Sequence, residues 1–536
     1  MNEKPKKLPF GVSTFSEMIE DDYIYVDKTK IIYNLIESGK KYFLSRPRRF
    51  GKSLLISTME ELFEGNKKLF ESLYIYDKWD WSQSYPVLHL DMSGLRVKTP
   101  EIFENSLNNL VDELAEDYSI NFIYDEVKGK FGELIKKISI KTKKKVVILV
   151  DEYDFPIIDN MSNLDVAEAN RETLSEFYQV LKNKDKYIRF IFLTGVSKFV
   201  KTSVFSKLNH LDDISIDPRY SSICGYREED LEKHFTYYIK NLSESQGITY
   251  DDAIKRIKKC YDGYSWDGEN FLYNPSSIIS TLSKNKFANY WFNTGTPTFL
   301  MDLIKRDAID LGVFMGSNLY FKDEFPTWDL NNINFTTALL QTGYLTIKSN
   351  TKAITGEEQY NLGIPNKEVE RSLFNYLLAA YTDNTPSEMT KISDDFLKYL
   401  IKSDEDNLSI LLDCLVGSVP YHSHMTYWKN YQIFFNGFFS GMGLKMISEK
   451  ANSPGRIDYV LKLNGLHVIV ELKYSQNKTL KNMFDEAWRQ IAKKRYYQEY
   501  QDKNLKFLTI AIQDTKAKEV QCQIKTLEEL KKIKIS

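Results

Sequence analysis

Cysteine is scarce in these 536 residues, at only four: Cys224, Cys260, Cys414 and Cys522. They lie far apart and none forms a C-x₂-C pair, which excludes a zinc knuckle and a disulfide framework. An excess of charge of one sign is also missing. The 72 Lys and Arg nearly balance 74 Asp and Glu, and a formal net charge of −2 argues against a wholesale nucleic-acid coat. Local basic runs such as Lys141–Lys145 and Lys493–Arg495 remain, either as solvated faces or as phosphate contacts. No apolar run reaches 18 residues, and the lysine-rich start carries no apolar stretch of the signal type. No membrane span is therefore expected, and the chain reads as cytoplasmic. Internal repeats, low-complexity tracts and heptad arrays are absent.

A hydrophobic fraction of 42% and a charged fraction of 27% are those of a folded globular protein, and the length allows two to four domains. Two stretches carry chemistry.

The first is Arg46-Pro-Arg-Arg-Phe-Gly-Lys-Ser53, between a short strand at Tyr42–Ser45 and a helical run from Leu54 to Phe63. Gly51-Lys52-Ser53 matches the end of the phosphate-binding pattern G-x₄-G-K-[ST]. Gly51 lets backbone N–H groups approach phosphates, Lys52 reaches the terminal phosphate oxygens, and Ser53 ligates Mg²⁺ at a helix N-terminus. The first glycine of the pattern is missing, since Arg46 occupies it. Val146–Val150 is an apolar, mostly β-branched run that reads as a strand buried on both faces of a parallel sheet. Asp151 and Glu152 follow it, at the end where such sheets bind ligands. Asp151 is expected in the Mg²⁺ shell and Glu152 beside the attacking water; the alternative is an Asp-Glu pair capping the next turn. A third buried strand, Tyr187–Leu193, ends at Thr194, a candidate for contact with the terminal phosphate or the water; the alternative is a plain turn residue.

The second stretch is Ile457–Leu463, Asn464-Gly465, Leu466–Lys473, which reads as a two-residue hairpin. Its register sets Leu463 against Leu466, Asp458 against Glu471 and Arg456 against Lys473. Ile457, Tyr459, Leu461, Leu463, Leu466, Val468, Val470 and Leu472 then share one apolar face, with Asp458, Glu471 and Lys473 on the other. Facing carboxylates repel unless a cation separates them, so a divalent metal with Lys473 beside it fits. A charged pair on a solvated hairpin face is the alternative.

The sequence "GRIDYVLKLNGLHVIVELKYS", followed by "EAWRQIAKKRYY", resembles the PD-(D/E)XK nuclease superfamily over about Tyr427–Lys506. The resemblance implies Mg²⁺ at Asp458 and Glu471, Lys473 orienting water, and Gln490 approaching the phosphate backbone. Many such nucleases carry a further acid on the preceding helix; residues 427–441 offer none, and Glu449 is the substitute. The stretches "FLSRPRRFGKSLL", "LVDEYDFPI", "FLTGVSKF" and "DISIDPRYSSICGY" resemble the AAA-ATPase-like domain of uncharacterised bacterial proteins over about Leu8–Tyr226. In that family arginine at the first loop position is usual. It implies an ATP site drawn from Arg46, Arg48, Arg49, Phe50, Gly51, Lys52, Ser53, Leu54, Asp151 and Thr194, with Asp27-Lys28 flanking it. Arg219 is a candidate for an arginine acting on a neighbouring subunit, which implies a homo-oligomer.

Between the sites, residues 228–260 have helical periodicity and look like a lid. "YDGYSWDG" at 261–268 and "YNPSSII" at 273–279 read as aromatic staples. Residues 335–381 suggest a winged-helix element, and "DNTPSE" at 383–388 reads as a linker. The expected organisation is an α/β multidomain chain. An ATPase at 1–226 precedes a lid and winged-helix-like connector at 227–385, and a nuclease-like domain occupies 386–536. The expected function is an ATPase whose nucleotide state gates a Mg²⁺-dependent nuclease acting on nucleic acid, DNA foremost. An ATP-driven switch or scaffold with a non-cleaving, nucleic-acid- or protein-binding C-terminal domain is the alternative.

Overall fold

A computed structural model describes residues 5–198, 211–291, 319–321, 334–353, 355–382, 384–417, 428–452, 455–463, 465–500, 504–514 and 518–533. These form two compact units, and the break falls between Val369 and Glu370.

The first unit is built on a parallel sheet. Its strands are β1 (Lys41–Ser45), β2 (Val87–Asp91), β3 (Val146–Asp151), β4 (Ile188–Gly195) and the two-residue β5 (Asp212–Asp213), in the order β2-β3-β4-β1-β5. Every residue of β3 is buried, as its uninterrupted apolar run requires of a strand covered on both faces. The register sets Asp91 beside Asp151 and Ser45 beside Gly195, so the polar ends of β1 to β4 meet along one edge. Helices Glu228–His234, Thr236–Gln246, Tyr250–Tyr261 and Pro275–Lys284 share a separate core with Ile24 and Val26 of the N-terminal segment.

The elements of the winged-helix expectation are present. The helix Phe335–Thr342 is followed by antiparallel β7 (Thr346–Lys352) and β8 (Glu358–Gly363), with β6 (Leu319–Phe321) on the outer side of β8, then by the helix Lys367–Thr382. Gly343, at φ +88°, ends the helix Phe335–Thr342, and the N–H groups of Tyr344 and Leu345 turn back to the Leu339 carbonyl before β7 begins.

Two expectations on organisation need correcting. The connector up to Val369 clusters with the ATPase instead of standing apart, and the break lies inside a helix, not at 385. The stretch 384–388 starts the helix Pro386–Lys402: Thr385 and Glu388 form a reciprocal capping box with proline in the first turn.

The second unit has a mixed sheet, β13-β12-β11-β10-β9, formed by β9 (Lys445–Asn452), β10 (Gly455–Leu463), β11 (Leu466–Ser475), β12 (Asn504–Asp514) and β13 (Lys518–Thr526). β11 and β12 run parallel and the other pairs antiparallel. Tyr459, Leu461, Leu466, Val468, Val470 and Leu472 face a core with Phe396, Leu412 and Phe435, with Leu463 packed at its margin. Val460 and Ile469 face the opposite side, against Met483, Phe484, Trp488 and Ile491 of the helix Leu480–Lys494. The sheet is thus sandwiched between helices. Among the described residues no helix is long and apolar enough to cross a membrane.

Candidate functional site

In the first unit the chain leaves β1 through the loop 46–51 and enters the helix Lys52–Glu64, whose N-cap is Gly51 at φ +94°. A side chain is strained in that conformation, which accounts for glycine there. Ser53 is exposed in the first helical turn, where unpaired N–H groups and the helix dipole favour an anion. Lys52 is buried, and its Nζ donates to the carbonyls of Arg46 (3.1 Å) and Pro47 (3.3 Å), within the loop itself.

Asp151 is buried at the end of β3, and the Thr194 hydroxyl donates to its Oδ1. Glu152, next along, adopts φ +49°. Its pKa is raised, by burial first and then by the neighbouring charges of Asp151 and Asp154, against the pull of Lys52 and, more weakly, Arg48. Lys52, Asp151, Glu152 and Thr194 therefore come together, although Lys52 and Thr194 are far apart in sequence.

A cleft lies beside Gly51, walled by Tyr25, Val26, Lys28, Leu54, Cys224 and Tyr226, with Phe50 in its lining. Lys28 is paired with Asp230 at 3.1 Å, and burial lowers its pKa. Asp27 does not line the cleft; its carboxylate accepts from the Thr29 N–H (2.8 Å) and the Tyr74 N–H (2.8 Å).

Arg46 does not join the phosphate-facing groups. It is fully buried, and its guanidinium donates to the carbonyls of Ser45 (2.8 Å), Ser215 (2.7 Å), Tyr220 (3.4 Å) and Ser221 (3.4 Å). Arg48 is half-buried, and Arg49 is exposed at φ +66°. Arg219 is exposed and bonded to Asp217 of its own chain.

Sequence reasoning missed Asp154. This buried carboxylate accepts from Val196 N–H (3.1 Å), Ser197 N–H (2.7 Å) and the Ser197 hydroxyl, fixing the backbone just beyond Thr194. Its signal was a third acid, three residues after Asp151, facing the polar end of "TGVS".

In the second unit the hairpin register is as expected, from Leu463–Leu466 out to Tyr459–Val470. One step further, Asp458 accepts from the Leu472 N–H at 2.9 Å. On β9 the flanking pairs Ile457–Lys450 and Tyr459–Ser448 put Asp458 at the register position of Glu449. The side chains of Glu449 and Arg456 lie outside the described residues, as does Asn464.

Glu471 is 1% exposed, and burial and the Asp458 charge push its pKa up to about 7, against the pull of Lys473. Lys473 Nζ donates to Glu471 Oε1 (2.8 Å) and to Gln490 Oε1 (2.8 Å), and Gln490 Nε2 donates to Glu471 Oε1. Gln490 therefore braces the Glu471–Lys473 pair. Glu471 Oε2 is buried without a hydrogen-bond partner. An unpartnered carboxylate oxygen near a second carboxylate is what a hard divalent cation accepts. No group of three or more His, Cys, Asp or Glu gathers to hold an ion among the described residues.

Comparison with known proteins matches the two units separately. Residues 9–205 match a family described as predicted AAA-ATPase, and residues 427–524 match the PD-(D/E)XK nuclease superfamily. The sequence is 38% identical over 477 residues to an uncharacterized protein in the vnfD 5′ region of Azotobacter chroococcum mcd 1, across 87% of this chain and 89% of the relative.

Proposed function

Because the chain belongs to the family of AAA-ATPase-like proteins that carry a C-terminal PD-(D/E)XK nuclease superfamily domain, we propose that it binds and hydrolyses ATP with Mg²⁺, and that nucleotide state gates a Mg²⁺-dependent phosphodiesterase acting on nucleic acid. The observation that supports this most is the buried, unpartnered Glu471 Oε2 beside Asp458 and Lys473.

In the ATP site Lys52 leaves its two loop carbonyls for the terminal phosphates, Ser53 and Asp151 hold the cation, and Thr194 keeps Asp151 aimed. Glu152 takes the attacking water. The base enters the cleft beside Gly51, past Lys28. In the second unit Asp458 and Glu471 hold the cation, which supplies Lewis acidity and an acidified water when bound. Lys473 holds the water or the developing oxyanion, and Gln490 fixes Lys473 and Glu471 relative to each other. Assembly into a homo-oligomer would let one subunit's arginine complete a neighbour's ATP site.

A second reading, in which the C-terminal unit binds nucleic acid or protein without cutting, is favoured by the helix Trp428–Gly441, whose sequence offers no acid. Incubating the purified protein with linear DNA and RNA, with and without ATP and Mg²⁺, separates the two. Metal-dependent cleavage whose rate changes with nucleotide supports gating. Retention of nucleic acid without cleavage supports the scaffold.

A further inference from the structure

A phosphate loop must hold its N–H groups in place before the ligand arrives, since any ordering left to the binding step lowers affinity. Here the loop lacks the first glycine of its pattern, and much of it is held from outside by residues more than 200 positions downstream. The Arg46 guanidinium carbon lies 4.0 Å from the centre of the Trp266 ring. Phe50, fully buried, meets Tyr264 and Trp266 edge-to-face at 4.9 and 5.1 Å. The Trp291 indole N–H donates to the Arg48 carbonyl at 3.2 Å. Pro47 packs so closely on Gly343 that a Cβ there would lie 2.7 Å from the proline ring. Trp291 is itself fixed, its backbone N–H donating to Glu368 (2.8 Å) and its ring packed on Tyr344.

Arg46, Pro47, Arg48 and Phe50 thus each have a buried external contact. Arg49, the one loop residue left exposed, adopts a left-handed conformation. An arginine in the first position is not a lapse in this arrangement. Its fork ties the end of β1 to the carbonyls of residues 215–221, and its flat face is covered by an indole, a pairing well suited to guanidinium.

We propose that Tyr264, Trp266 and Trp291 form an aromatic wall that positions the phosphate loop, so that nucleotide affinity depends on side chains that never touch the nucleotide. This rests on the reading of the loop as an ATP site. It gives the "YDGYSWDG" segment a role in ligand binding as well as in folding.

The test is titration of the full-length protein with a non-hydrolysable ATP analogue, well below each variant's melting temperature, with melting recorded in parallel. Trp266→Ala should weaken binding about tenfold or more, and Trp266→Phe should recover most of the loss. Trp291→Phe keeps an aromatic ring, though a smaller one, and deletes the indole N–H; it should weaken binding about two- to tenfold and decides the matter if the Trp266→Ala chain does not fold. A lower melting temperature with unchanged affinity in these variants overturns the proposal. In that case loss of binding by Lys52→Ala in the same series leaves the ATP site standing. A wild-type protein that binds no analogue overturns both.

Discussion

Lys473 and Glu471 are joined by a 2.8 Å ion pair that leaves the second oxygen of Glu471 buried and without a hydrogen-bond partner. A pair built only for stability would satisfy both oxygens, because an unpaired buried acceptor is costly. The lysine therefore accounts for half of the carboxylate, and the other half points to a ligand.

Lys473→Ala is accordingly expected to separate binding from chemistry. Without metal it should destabilise the second unit by about 1–3 kcal/mol, since it removes a charged donor from a buried acceptor. Melting with and without Mn²⁺ should still show stabilisation by the ion, while cleavage of linear DNA stops. Unchanged cleavage would remove the lysine from the mechanism.

Lys52→Ala should abolish ATP binding, and Glu152→Gln should bind ATP but not turn it over, because the two residues serve the ground state and the water respectively. Fluorescent-nucleotide titration and phosphate release read the two effects. Wild-type turnover by the Lys52→Ala protein would contradict the loop assignment.

Both sites were legible in sequence wherever a local pattern dictates geometry. The apolar run at Val146–Val150 required a doubly covered strand, and the hairpin pattern gave the register that runs from Leu463–Leu466 out to Tyr459–Val470, one step short of Asp458. What failed depended on distant partners. Nothing near Arg46 indicates that it will turn to the carbonyls of residues 215–221 and lie under Trp266, so its position in the loop suggested phosphate. Gln490, which the resemblance set toward the phosphate backbone, also bonds Glu471 and Lys473, partners on another element that no local pattern announces. The supposed linker at 383–388 was a misreading of a signal that was present: Thr385-Pro386-x-Glu388 is a helix start.

Glu368 makes the first unit's stability depend on pH. Its buried carboxyl accepts from Ser277 (2.7 Å) and Trp291 (2.8 Å), and burial pushes its pKa up to about 7 from an ordinary 4.5. A raised acid is protonated in the fold and ionised in the unfolded chain throughout that window. Its contribution is whole below about pH 4.5 and is lost as pH rises through 7, a change on the order of 3 kcal/mol. Melting curves of wild type and Glu368→Gln should therefore diverge between pH 5 and 7, with the variant gaining, and run parallel above about pH 8. Parallel curves throughout would show that the carboxyl is not shifted.

The most direct test of the metal-dependent site is a calorimetric titration of Mn²⁺ into the full-length, nucleotide-free protein, wild type beside Asp458→Asn. Two carboxylates about 4–5 Å apart would repel by about 3–4 kcal/mol at an effective dielectric near 20, and a shared cation would offset this. The expected result is a binding isotherm in wild type that Asp458→Asn loses, together with loss of any cleavage. Heats that cannot be told apart between the two proteins would contradict the site.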